Sequence, residues 1–408
     1  MIGSLLATFA KYDRRFWVLV GVQLIVAAGF GAAMPFVSIY LHTELGKPMS
    51  WVGSVMLISA VISAVGRSAG GEISDRIGRR PVLLIGMAAR TLAFGGMTYM
   101  VYREASAILV AGAYLAVRLM GAFLRPALAA MVADVVGPKK RVEAYAVFRI
   151  GQNVGWAIGP ALGGFLVASS YASVFLLTTT ASLVGLILVA LFTSESLKQP
   201  NGGGQFSIRE MLSAARDTRF LLFCGWSVLL FIVGGQYAST LAVFSTDVVG
   251  ITKAQLGWLF TVNGISVVLF QWPAARLTER IGIRWGLAVG CILTAVGYLT
   301  VGLAPGFVFL VGSMIIITLG EVTFQPTSMA AVANMAPALR VGRYMGLFGL
   351  TEALGWSLGP FLGGMLYDRL FGSPLLLWAL ISSLAFIATA GFAVSRRLAR
   401  ALDGQQSA

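Results

Sequence analysis

The chain has 408 residues, of which 58% are hydrophobic and only 11% charged, and its mean hydropathy of +0.85 excludes a water-soluble globular domain of this size. The formal net charge of +14 does not point to nucleic acid, because Lys and Arg sit in short connections between apolar runs rather than on one polar domain. Nor does it point to an enzyme: there is one histidine, His42, with no zinc-binding pair, no Gly-x-Ser-x-Gly and no phosphate-binding Gly-Lys-Ser/Thr loop.

A hydrocarbon core about 30 Å thick takes about 20 apolar residues as one helix. Such runs predict spans at 16–41, 51–73, 81–101, 106–131, 143–169, 172–194, 219–244, 254–276, 285–304, 306–335, 343–367 and 373–394. The runs are long and unbroken, whereas barrel strands would be short and alternating, so the expected fold class is all-α integral membrane with twelve transmembrane helices. Span one exceeds a typical signal-peptide core and no small-x-small cleavage site follows it, so it is expected to stay in the mature chain. Basic residues such as Lys11, Arg14, Arg15, Lys139, Lys140, Arg141, Arg396 and Arg397 crowd one set of connections, while the other set holds Lys47, Arg103, Lys253 and Arg369. By the positive-inside rule both termini are expected in the cytoplasm. Cys224 and Cys291 fall inside spans and read as packing residues.

Between spans two and three stands Gly71-x3-Asp75-Arg76-x-Gly78-Arg79-Arg80. The glycines allow close approach and a tight turn, and Asp75 supplies a carboxylate able to face a helix N-terminus. This pattern resembles the loop motif of the major facilitator superfamily. The resemblance implies a fold of two six-helix bundles related by pseudo-two-fold symmetry, with the loop as a conformational gate and Asp134, at the end of span four, as its charge partner. In span four, Arg118-x-x-Gly121 is similar to an antiporter motif of that superfamily, which carries one more residue between Arg and Gly; Arg118 and Arg125 are expected at the substrate cavity. Arg67 and Arg149 lie within snorkelling reach of the interface, and Arg90 can serve as a structural partner.

Span five places Gly151, Gly155, Gly159 and Gly163 at fourth-residue spacing with Pro160, which gives one smooth face for close helix packing. It resembles the Gly-Pro motif of proton-coupled antiporters; the alternative is packing with no bearing on transport direction. Gln152 and Asn153 in the same span either meet substrate or join helices. After span six, Ser194 to Arg219 is a polar linker with Pro200 and Gly202 to Gly204, in which Ser207-x-x-Glu210 has capping-box spacing for a short interfacial helix. The expected domains are therefore residues 1–194, a cytoplasmic linker 195–218, and residues 219–408.

In span seven, Gln236-Tyr237 falls where related multidrug exporters carry an acid one residue later, but Ala238 stands there. Asn263 in span eight joins the polar candidates, and Tyr40, Tyr237 and Phe324, with Trp156 and Trp258, the aromatic ones. Thr318-Leu-Gly-Glu321-x4-Pro326 resembles the tenth span of multidrug/proton antiporters and makes Glu321 the first choice for proton coupling. A carboxylate at membrane depth is costly unless it meets partners or water, so it marks function by default; Arg118 is its expected partner. Glu352 in span eleven is a second candidate, either a titrating site or a gate contact.

Span eleven also repeats span five: Gly155-Trp156-Ala-Ile-Gly159-Pro160-Ala-Leu162-Gly163-Gly164 matches Gly355-Trp356-Ser-Leu-Gly359-Pro360-Phe-Leu362-Gly363-Gly364 at a constant offset, and Asp75-Arg76-Ile77-Gly78 echoes Glu279-Arg280-Ile281-Gly282. The chain thus reads as a duplication with a cavity between its halves. What the resemblance implies is secondary active transport: proton-coupled antiport exporting small amphipathic compounds, in a bacterial-type inner membrane, by a monomer using no cofactor or metal but the proton gradient. The alternative is a symporter or facilitator for an anionic or lipid-like solute.

Overall fold

The computed structural model describes residues 12–136, 140–197, 213–337, 340–395 and 398. The interfacial helix expected at Ser207–Glu210 and the basic residues Lys11, Lys139, Arg396 and Arg397 lie outside the described residues. Among those described there are thirteen α-helices and no strand: α1 (Arg14–Ile39, continued by a π-helical turn Tyr40–Glu44), α2 (Met49–Ile77), α3 (Arg79–Tyr102), α4 (Ala107–Val135), α5 (Arg141–Val167), α6 (Tyr171–Phe192), α7 (Thr218–Gly234), α8 (Thr240–Asp247), α9 (Lys253–Ile281), α10 (Ile283–Val301), α11 (Phe307–Met335), α12 (Val341–Leu370) and α13 (Pro374–Val394). Nine of these helices are long and apolar enough to cross a membrane. The fold is that of an all-α membrane protein.

Local chemistry sets many of the helix starts. Asp13 accepts from Arg15 N, Ser170 from Ala172 N, and Asp217 from Arg219 N and Phe220 N, each satisfying a first-turn donor that has no intrahelical partner. At α9 the Thr252 hydroxyl accepts from Gln255 N while the Gln255 side chain accepts from Thr252 N, a complete capping box. Gly78 and Gly282 take φ of +106° and +85° at the two equivalent short turns, α2 to α3 and α9 to α10. A side chain would be strained at both positions, which is why the duplicated motif keeps glycine there.

The chain divides into two compact units, Met1–Tyr40 with Ile58–Gly204, and Leu41–Leu57 with Gln205–Ala408. In the first, α1 packs on α5 and α6, and α3 on α4 and α6. In the second the same four pairings recur six spans later: α7 packs on α12 and α13, and α10 on α11 and α13. The duplication read from the sequence is therefore a duplication of packing. The first unit closes around Phe16, Leu19, Val22, Leu83, Met87, Leu128 and Val132. The second is built on rings: Phe223 lies 5.6 Å from Phe348, Phe231 5.8 Å from Phe324, and Trp378 5.7 Å from Tyr298. Ile58, Val61 and Val65 are exposed along one stripe of α2, a surface suited to lipid rather than water.

The fourth-residue glycines form backbone-to-backbone seams in both units. A Cβ on Gly155 would stand 2.5 Å from the Leu24 carbonyl oxygen of α1, and those on Gly159 and Gly163 would strike the Ala28 and Ala32 carbonyls. A Cβ on Gly359 would stand 2.5 Å from the Ile232 carbonyl of α7, while those on Gly355 and Gly363 would strike the side chains of Phe231 and Gln236. Pro160 and Pro360 lie inside α5 and α12.

Span seven differs from its sequence expectation. The continuous helix predicted for 219–244 is broken between Gly234 and Thr240 into α7 and α8. Gln236 holds the break: its Nε2 donates to the Gly359 carbonyl at 2.7 Å and the Ile232 carbonyl at 3.1 Å, and its Oε1 accepts from Thr240 Oγ1 at 2.7 Å. The Gln236 side-chain amide thus adds to the turn's own backbone bonds and ties the break to both flanking helices and to α12.

Candidate functional site

Glu321 lies on α11, half-buried within the second unit. One turn earlier, the fully buried Thr318 donates to the Met314 carbonyl at 2.8 Å, which orients its hydroxyl oxygen as an acceptor. Asn263 of α9 uses this: its Nδ2 donates to Thr318 Oγ1 at 2.9 Å and to Glu321 Oε2 at 3.4 Å, while its Oδ1 accepts from the Tyr237 hydroxyl at 3.2 Å. Tyr237 comes from the break between α7 and α8, edge-on to Phe260 at 4.5 Å. The sequence candidates Tyr237, Asn263 and Glu321 are therefore one network, in which an amide fixed by two hydroxyls presents a single long hydrogen bond to the carboxylate. No cation of the same unit lies within ion-pair distance of Glu321 among the described residues.

Glu352 of α12 is held in a similar way, accepting from Gln325 Nε2 of α11 at 3.3 Å. Arg118, the expected partner of Glu321, belongs to the first unit, where its guanidinium carbon lies 5.6 Å from the Phe30 ring centroid. Arg125 and Asn153 are exposed and Gln152 half-buried. Three expected cavity residues are instead packed inside the protein. Gln236 is 1% exposed and spends its amide on the span-seven break, Phe324 sits among Phe231, Phe392 and Gly290, and Tyr40 lies 5.0 Å from Tyr171. Their polar or aromatic character serves helix joining.

In the loop motif, Arg79 rather than Arg76 is the central residue. Its Nη1 donates to Asp75 Oδ1 at 2.5 Å and to the Ser74 carbonyl at 2.7 Å, and its Nε to Asp134 Oδ2 at 3.4 Å. Arg76 pairs one turn back with Glu72. The N-terminus of α3 is held by a residue that sequence reasoning missed: Glu195, just past α6, accepts from Arg79 N at 3.0 Å and Arg80 N at 3.1 Å. A Cβ on Gly78 would stand 2.5 Å from Glu195 Oε2, so Gly78 provides the positive φ and also the room for this carboxylate. Partial burial works to raise the Glu195 pKa, but bonds from the N–H groups of Leu197, Arg79, Arg80 and Ser196 outweigh it and hold the value below the ordinary 4.5. A lowered folded value means that this stabilisation is present at neutral pH and fades as pH falls below about 4.5. Glu195→Gln is accordingly expected to cost about 0.5–1 kcal/mol at pH 7, with the gap to the parent in thermal denaturation closing under acid conditions.

Residues 41–57 group with the second unit through a separate polar cluster. Asp368 of α12 caps α2, accepting from Met49 N at 2.7 Å and Ser50 N at 2.8 Å. Lys253 Nζ lies 2.9 Å from Glu44 Oε1, and Thr43 Oγ1 donates to Asp247 Oδ1 at 3.3 Å. His42 Nε2 stands 3.4 Å from Asp247 Oδ2, and Gly364 lets α12 approach the Met49 carbonyl. Asp368→Ala leaves two first-turn donors of α2 without partners and is expected to cost about 1–2 kcal/mol, with partial recovery in Asp368→Asn, read as midpoints of thermal unfolding in detergent.

The profile of the Major Facilitator Superfamily matches residues 19–252 and 227–407. The chain belongs to this superfamily. Among curated members it is 27% identical over 381 residues to the uncharacterized MFS-type transporter YttB of Bacillus subtilis, covering 92% of this chain and 94% of that one. It is 26% identical over 392 residues to the multidrug resistance protein MdtH of Edwardsiella ictaluri, covering 93% and 94%. Of solved structures, a bacterial homologue of the human lysosomal transporter Spinster, inward-facing and unoccupied, superposes with a TM-score of 0.76 at 15% identity over 96% of this chain and 98% of that one. A POT family transporter in complex with 5-aminolevulinic acid gives 0.76 at 15% over 94% and 96%. The superfamily fold accounts for the repeated helix pairings, and this member is a multi-pass membrane transporter.

Proposed function

We propose that the chain is a proton-coupled antiporter that exports small amphipathic compounds by alternating access, with Glu321 as the group that carries the proton. The observation that carries the reading is the Glu321 site itself: a carboxylate at membrane depth, held by one 3.4 Å hydrogen bond from Asn263 and positioned by a network that closes on Tyr237 and Thr318. Relatives named as multidrug resistance proteins support the substrate class. The site would take a proton when open to the outer side and lose it when open to the inner side, as the two repeats rock against each other around it. Glu352 and its Gln325 partner form the second acid–amide pair through which a proton passes or a gate is held. The working unit is a monomer with both termini in the cytoplasm, in a bacterial inner membrane, driven by the proton gradient without a bound cofactor.

The test uses purified protein in liposomes with an acidic lumen and a panel of amphipathic dyes of cationic, neutral and anionic type. Antiport predicts that at least one dye accumulates above the level in protein-free liposomes, and that nigericin, which dissipates the pH difference, removes the excess. Accumulation of none of them would count against the reading.

A further inference from the structure

The first unit contains three arginines near mid-helix that no carboxylate neutralises among the described residues. Arg90 of α3 is only 7% exposed. Its guanidinium carbon lies 5.9 Å from the Phe30 ring centroid and 5.5 Å from that of Phe94. Arg118 of α4 lies over the same Phe30 at 5.6 Å. Both Arg90 Nε and Arg118 Nε are buried and have no hydrogen-bond partner. Arg67 of α2 and Arg90 are each close enough to feel the charge of Arg118. Beside this group the chain carries Gly121, whose added Cβ would stand 4.0 Å from Arg90 Nη1, so no side chain fills the space next to that guanidinium.

The energetics of this cluster do not close on the protein alone. Ring contacts offset only part of the cost of withdrawing each cation from water, and the mutual repulsion adds to that cost. Arg67 is exposed and can reach water, but Arg90 is enclosed. Guanidinium groups with unused N–H donors recognise planar and tetrahedral oxyanions through paired hydrogen bonds. We propose that Arg90 and Arg118, both over the Phe30 ring and with the charge of Arg67 nearby, bind the carboxylate or sulfonate of a small organic acid, so that the transported amphipathic compounds carry a negative charge. Only the identification of this ligand as cargo rests on the export reading; binding stands apart from it. A phospholipid headgroup offers similar chemistry, but the aromatic floor and the enclosure of Arg90 favour a small acid over a headgroup.

The experiment is a thermal-shift titration of the full-length protein in detergent, at constant ionic strength and without a pH gradient. The probes are sodium benzoate and 2-naphthoate, their neutral amides, and phosphatidylglycerol against phosphatidylcholine. At least one acid is expected to raise the midpoint saturably by about 3 °C or more where its amide does not. The rise should vanish in Arg90→Gln and in Arg118→Gln and persist at higher concentration in Arg118→Lys, which keeps the charge without the fork. No rise with either acid, a rise with phosphatidylglycerol alone, or a rise unchanged in both Gln variants would overturn the proposal. Because binding is read without transport, a failure here leaves the antiport reading standing, and a protein that binds acids but ignores a pH gradient fails only the latter.

Discussion

Glu321→Gln is expected to abolish dye accumulation driven by a pH gradient, by at least about tenfold, while dye-for-dye exchange at equal pH stays within about twofold of the parent. Glutamine keeps the volume and an oxygen able to accept from Asn263 Nδ2, now 3.4 Å from Oε2, but it has no proton to exchange. Loss or gain at this one long bond is worth less than about 1 kcal/mol, so the folded protein should denature at nearly the parent temperature. Transport and stability therefore separate. A substitution of merely structural effect would lower both exchange and unfolding temperature, and Glu321→Gln transport at the parental rate under a pH gradient would remove Glu321 from the coupling step. The measurement is paired gradient-driven and exchange uptake in the same liposome preparation.

The second large effect concerns the glycine seams. Gly159→Leu and Gly359→Leu drive a branched side chain into the Ala28 carbonyl of α1 and the Ile232 carbonyl of α7, with backbone rather than flexible side chain in the way. Overpacking usually costs about 1–3 kcal/mol; where two helix backbones must separate, each variant is expected to reach or exceed the top of that range and to yield little monodisperse protein. Gly349 and Gly312 lie in the same kind of helix, but an added Cβ meets nothing within 4 Å. Gly349→Ala and Gly312→Ala should therefore be neutral or stabilising by up to about 1 kcal/mol. Size-exclusion profiles and unfolding midpoints of the four variants decide the matter. Equal tolerance of all four would mean that the fourth-residue spacing has no packing role.

These contrasts show what the sequence could carry. Apolar runs placed the helices to within a few residues, because lipid leaves the backbone no other partner for its polar groups. The repeated Gly-x3-Gly segments marked both seams, because a missing Cβ is legible in the letters themselves. The break at Gly234 to Thr240 was not legible: hydropathy does not register it, and what sustains it is the bond from Gln236 to Gly359, far away in sequence. Glu195 was missed for a related reason. It stands in a polar stretch after a span, and its partners are backbone N–H groups of α3, which leave no side-chain pattern to read. The grouping of residues 41–57 with the second unit rests on Asp368 and Lys253, which no span boundary announces. At the site, Glu321 could be singled out as an acid at membrane depth, but its assembly with Asn263, Thr318 and Tyr237 required the fold. Arg90 was read as a structural partner, and among the described residues its buried Nε has no hydrogen-bond partner.

The coupling role of Glu321 is tested most directly by following protons. In liposomes loaded with the pH indicator pyranine and starting without a gradient, adding outside a dye that the protein transports should make the lumen more alkaline, as each inward step of dye sends protons out. Protein-free and Glu321→Gln liposomes should show no such change. A lumen that turns acid, or an equal alkaline signal from the Glu321→Gln protein, would contradict antiport through this carboxylate.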